Sequence, residues 1–120
     1  METTVSRHGT AEVTFAEVAD GIEVGVRGEI DLANTADIAG AFARLDDGQL
    51  DSVVFDLNGL TYVDSAGLAM FIDIVRRLRM ARKVVACKAQ VGTATRRVVD
   101  LAGLTEFFGI SDAIRAADGT

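Results

Sequence analysis

The sequence predicts an α/β domain, a mixed and mostly parallel sheet of about 4–5 strands packed against about 4 helices. Three observations carry this. Near the N-terminus, Val13 and Phe15, then Ile22, Val24 and Val26, alternate with polar residues around the turn pair Asp20-Gly21, the pattern of an antiparallel hairpin. The run Val53-Val54-Phe55 reads as a buried central strand, and helical periodicity follows it in Leu68, Phe71, Ile72, Val75 and Leu78. A further short apolar run, Val84 to Cys87, comes after that helix, and strands separated by helices imply parallel neighbours joined by right-handed crossovers.

Length and composition bound the answer. The chain has 120 residues, enough for one core but not two, and 49% hydrophobic residues with mean hydropathy +0.27 mark it as globular. A net charge of -6 argues against direct nucleic-acid binding, which favours a basic face. No apolar run reaches the length of a membrane span, so no direct membrane insertion is expected, and METTVSRHGT is not a signal peptide. The single Cys87 precludes an internal disulfide and fits a reducing cytoplasm. It reads as a small buried hydrophobe.

In chain order, residues 1–10 read as a flexible polar tail that includes His8, the only histidine, and residues 11–118 as a single domain. After the hairpin, Gly28-Glu29-Ile30-Asp31 closes the second strand. Asn34 or Thr35 caps a helix over 35–46 whose inner face is Ile38, Ala41, Phe42 and Leu45. Gly40 lies inside that helix. The central strand covers 52–56 and breaks at Asn58-Gly59; a short apolar touch, Leu60 to Val63, then leads to Asp64-Ser65-Ala66-Gly67. Either Asp64 or Ser65 caps the helix over 65–80, and Gly67 keeps its first turn uncrowded. A helix N-terminus has unpaired N–H groups and a positive dipole end, so a phosphate on a hydroxyl there is accommodated. A third helix runs over 93–102 from Gly92-Thr93, with Val98, Leu101 and Ala102 on one face and Gly103 ending it. Phe107 and Phe108 suggest a short last strand, and Ser111-Asp112 cap a terminal helix near 111–117.

Three of these stretches carry a family resemblance: GEID at 28–31, DSAGL at 64–68 following DLNGLTYV, and LAGL at 101–104. Together they resemble STAS domains, especially the anti-sigma-factor antagonists of bacteria. That resemblance implies the STAS fold and a non-enzymatic regulator with no cofactor of its own. The partner it implies is a serine-kinase anti-sigma factor, which brings the ATP, with a phosphatase to reset the modified form. Ser65 matches the family's phosphorylated serine. Asp31, Asn34, Asp64, Ala66, Gly67 and Met70 fall at or beside the partner-facing positions, with Arg76 further along the same helix. Met70 is singled out because it is apolar yet off the inner stripe, and methionine suits an adaptable contact. Departures are Asn34 and Thr35 where the family places a threonine at the first position, Ala66 where a second hydroxyl is common, and Gly92-Thr93 where Ser-Pro often starts the third helix.

Other classes fit less well. STAS subunits of lipid or solute ABC transporters, which share the DSAGLA pattern, or of larger signalling assemblies are the alternative, and these need not be phosphorylated. A two-component receiver would use Asp56 as acceptor, but Glu17 and Asp20 are misplaced for its acidic pair and no lysine follows Lys88. For a hydrolytic enzyme, no constellation of histidine, cysteine or paired carboxylates is legible in the sequence.

Overall fold

The computed structural model describes residues 3–110. Its six-stranded sheet contains β1 (Thr3–His8), β2 (Ala11–Val18), β3 (Gly21–Ile30), β4 (Ser52–Asp56), β5 (Leu60–Val63) and β6 (Val84–Lys88). The helices are α1 (Thr35–Ala41), continued by a 3-10 helix over Phe42–Asp46, then α2 (Ser65–Met80) and α3 (Ala94–Leu101). The strand order is β1-β2-β3-β4-β6, and β5 pairs with β3. The two pairings at the β1 end are antiparallel, whereas β3–β4, β3–β5 and β4–β6 are parallel. Helices α1, α2 and α3 therefore follow the carboxyl ends of β3, β5 and β6 and start at one rim of the sheet.

The strand count exceeds the sequence expectation for identifiable reasons. Residues 3–8, expected in a tail, form the edge strand β1, whose residues other than His8 stay wholly or partly exposed. An edge strand that buries so little carries no apolar alternation to read. Leu60 to Val63, expected as a loop passage, is the four-residue strand β5. It exists because Gly28 lets β3 shift register between Gly28 and Glu29, so that β4 pairs with the first half of β3 and β5 with the second. Gly28 has φ +96°, and a Cβ there would sit 2.2 Å from the Thr10 carbonyl oxygen. Only glycine fits that bulge.

The core lies between the sheet and α1 and α2. Phe42 is its hub, with ring centroids 6.5 Å from Phe15, 5.6 Å from Phe55 and 6.1 Å from Phe71. Ile38, Phe42 and Leu45 are fully buried, as their spacing predicts. Gly40 is exposed and a Cβ there would touch nothing, so it costs helix stability, about 1 kcal/mol against alanine, without a packing return. On α2 the buried stripe is Gly67, Phe71, Ile74, Val75 and Leu78. Ile74 replaces Leu68 and Ile72, which are half-buried; both sets satisfy helical spacing, and the sheet selects one.

Helix α3 corrects the sequence reading more sharply. Its buried residues are Thr95, Arg96 and Val99, while Leu101 is 84% exposed and Ala102 is also exposed. An arginine is ordinarily read as solvent-facing, and here it is turned inward by polar partners. The last strand expected at Phe107 and Phe108 is a series of turns. The rings pack on each other edge-on at 5.3 Å, with the Arg79 guanidinium 5.3 Å from the Phe107 centroid. The terminal helix expected near 111–117 lies outside the described residues.

Candidate functional site at the start of helix α2

Asp64 holds this site together. It is the N-cap of α2, in extended backbone conformation, and its Oδ1 accepts from the Gly67 N–H at 2.9 Å. Its Oδ2 accepts from the Leu32 N–H at 3.2 Å, and its own N–H donates to the Ile30 carbonyl at 3.2 Å. One carboxylate thus satisfies a helix-end donor and ties the 31–34 loop to the helix.

The loop is braced from its other side. Asn34 precedes α1, but its side chain makes no cap bond to that helix. Instead Oδ1 accepts from the Asp31 N–H at 3.1 Å, and Nδ2 donates to the carbonyls of His8 and Glu29 at 3.0 and 2.9 Å. Asn34 is buried, so it shapes the loop from beneath. Asp31 is half-buried, and its Oδ1 accepts from the Ala33 N–H at 2.9 Å. Leu32 is 77% exposed at the loop tip.

Ser65 is the first residue of α2 and is exposed. Its Oγ takes no hydrogen-bond partner among the described residues. Ala66 is half-buried beside it, and Met70 packs in part against the core while keeping some exposure. Gly67 is buried, and a Cβ there would lie 2.7 Å from Val63 Cγ2 and 2.8 Å from Ile30 Cγ2. Its missing side chain seats the first turn of α2 against β3 and β5. Arg76 is exposed on the same helix, about 16 Å along the axis from Ser65.

The sequence-predicted residues therefore separate by role. Asp31, Ser65, Ala66 and Met70 reach the surface; Asn34, Asp64 and Gly67 fix its shape. Leu32 and Tyr62, the latter 51% exposed on β5 opposite Glu29, are surface apolar residues that sequence reading passed over. A bulky leucine between Asp31 and Asn34, in a loop stretch, was the available signal.

Groups proposed for other chemistry are occupied elsewhere. Asp56 Oδ1 accepts from the Asn58 N–H at 3.0 Å and closes the turn after β4. Burial pushes the Cys87 thiol up to about 12, with Arg79 pulling it back only in part, so it stays protonated and inert at neutral pH. Among the described residues no group of three or more His, Cys, Asp or Glu is placed to hold a metal, and no helix is long and apolar enough to cross a membrane.

Solved structures with this fold include an anti-sigma factor antagonist from Mycobacterium paratuberculosis, with TM-score 0.71, 24% identity and coverage of 96% of this chain and 93% of that one. The unphosphorylated anti-sigma factor antagonist SpoIIAA gives TM-score 0.63 at 16% identity, covering 90% of this chain and 97% of that one. The phosphorylated form of SpoIIAA, a Bacillus cell fate determinant, gives 0.60 at 17% identity, covering 88% and 96%. At these identities the likeness speaks to fold. Among curated proteins none matches the chain. The STAS domain model matches residues 15–117, and the chain belongs to the STAS domain family.

Proposed function

We propose that this chain is a cytoplasmic anti-sigma-factor antagonist of bacterial type, which binds a serine-kinase anti-sigma factor and is switched off by phosphorylation of Ser65. The observation that carries this reading is the exposed Ser65 hydroxyl, without a hydrogen-bond partner among the described residues, on the first turn of a 16-residue helix whose cap, Asp64, also holds the 31–34 loop. The structural likeness to anti-sigma factor antagonists supports the same choice.

The kinase supplies ATP and its metal. Ser65 Oγ attacks the γ-phosphorus, the bond to the β-phosphate oxygen breaks, and the hydroxyl proton leaves with a base of the kinase. This chain is the substrate and not the catalyst. The product carries about -1.5 to -2 added charges beside Asp64. The positive end of α2 offsets part of that charge, so the domain stays folded while the contact surface becomes more negative. Asp31, Ala66 and Met70, with Leu32, offer the accessible contacts; Asn34, Asp64 and Gly67 keep them in register. A phosphatase reverses the modification.

Binding of a serine-kinase anti-sigma factor to Ser65→Ala and Ser65→Glu proteins tests the switch. Ser65→Ala is expected to bind as tightly as the wild type. Ser65→Glu is expected to bind about a hundredfold more weakly, about 2.7 kcal/mol, with an unchanged circular dichroism spectrum. Equal affinity of the two variants would return Ser65 to a plain first-turn residue.

A further inference from the structure

At the far edge of the sheet, two short side-chain hydrogen bonds join residues that sequence reading had placed in a tail and on a helix. Ser6 Oγ lies 2.8 Å from His8 Nε2, and His8 Nδ1 lies 2.8 Å from Asp37 Oδ2. Ser6 and His8 share a strand face because they are two residues apart on β1, and Asp37 comes from the first turn of α1. We propose that Ser6, His8 and Asp37 form a nucleophilic triad in which Ser6 Oγ accepts acyl groups from activated esters.

The direction of the bonds follows from donor chemistry. An ionised carboxylate only accepts, so the Nδ1 facing Asp37 carries the ring proton. In the neutral imidazole Nε2 is then the lone-pair nitrogen, and the Ser6 hydroxyl donates to it. This is the arrangement in which a histidine draws the proton from a serine while a carboxylate holds the ring and its tautomer. His8 is 8% exposed, and its backbone is pinned by the bond from Asn34 Nδ2 to its carbonyl, so the ring has a fixed seat. Ser6 is half-buried on the outermost strand, and its neighbour on the open side of the same face, Thr4, is exposed, which leaves an approach for a small ester. Arg44 donates to Thr4 Oγ1 at 2.8 Å, placing a cation one same-face position back from Ser6, about 7 Å along the strand.

In the step itself, Ser6 Oγ bonds to the ester carbonyl carbon as its proton passes to His8 Nε2. The tetrahedral adduct expels the alkoxide or phenolate, and the proton on His8 goes to the leaving group or to water. Water attack on the acyl-serine then releases the carboxylic acid and restores Ser6. No oxidant, metal or cofactor enters the balance. The proposal is independent of the reading of Ser65.

p-Nitrophenyl acetate is the probe, with p-nitrophenolate release followed by absorbance and the adduct mapped by peptide mass spectrometry. Acetyl is expected on Ser6 as an ester removed by neutral hydroxylamine, whereas adducts on Lys83 or Lys88 are amides and survive it. General-base removal in His8→Gln is expected to slow Ser6 acetylation about a hundredfold, with Asp37→Asn slowing it less. Ser6→Ala should lose the hydroxylamine-sensitive adduct while keeping the circular dichroism spectrum of the wild type. Absence of acetyl on Ser6 in the wild type would overturn the proposal. So would equal Ser6 acetylation in His8→Gln, including the case where that variant only lowers the melting temperature, the signature of a structural clasp.

Discussion

Helices α2 and α3 leave the same rim of the sheet and begin with the same bond, yet one start is open and the other is closed. In both, the N-cap oxygen accepts from the third backbone N–H: Asp64 from Gly67 at 2.9 Å, and Thr93 from Arg96 at 3.2 Å. At α3 the first turn is filled by its own side chains. Arg96 is buried, bonded through Nε to Asp100 Oδ1 at 2.9 Å and through Nη1 to the Ala89 carbonyl at 3.1 Å, and Thr93 Oγ1 donates to the Gln90 carbonyl at 2.7 Å. At α2 Val63 and Ile30 fill the space beside Gly67, the cap reaches outward to the Leu32 N–H, and Ser65 faces solvent. A cap bond by itself therefore says nothing about function. What distinguishes a site is whether the first turn keeps a polar group that the fold does not use.

Breaking the closed start should damage stability alone. Arg96→Ala removes a buried guanidinium and leaves the Ala89 carbonyl without its donor, an expected loss of about 2–3 kcal/mol in urea titration. Kinase affinity per folded molecule should stay at the wild-type value. If affinity fell as well, α3 would belong to the binding surface and the contrast would fail.

Gly67→Ala should affect both properties. Its Cβ must push Val63 and Ile30 apart, at an expected cost of about 1–3 kcal/mol, and the shift displaces the turn that carries Ser65. Phosphorylation of Ser65 should slow at temperatures where the variant is fully folded. Unchanged phosphorylation with reduced stability would make Gly67 a packing residue only.

A matched pair of cap removals sharpens the comparison at the smallest scale. Asp64→Ala and Thr93→Ala are each expected to cost about 1 kcal/mol by thermal melting. Only Asp64→Ala also frees the Leu32 N–H, so only that variant should raise amide hydrogen exchange in the 31–34 loop. Equal exchange in the two variants would show that Asp64 does not hold the loop.

Much of this was legible in the chain. Periodicity located α2 over 65–80 and the inner face of α1, and the DSAGL stretch narrowed the cap to Asp64 or Ser65. What stayed hidden depended on long-range partners. β1 has no apolar alternation because it is an edge, and β5 exists only through the bulge at Gly28. Arg96 reads as a surface charge until Asp100 and the Ala89 carbonyl are in place. Asn34 looks like a cap for α1, but its amide serves strands β1 and β3 through His8 and Glu29. Likewise Ser6 and His8 look like tail residues until α1 brings Asp37 to them, 29 residues beyond His8 in sequence.

The central claim is that the exposed Ser65 hydroxyl at the start of α2 is the one a kinase modifies. Incubation of the wild-type protein with a serine-kinase anti-sigma factor and ATP, followed by peptide mass spectrometry, tests it most directly. One phosphate on Ser65, absent in Ser65→Ala, is the predicted result. Phosphate on another residue at the same rate in both proteins, or none on either, would contradict it.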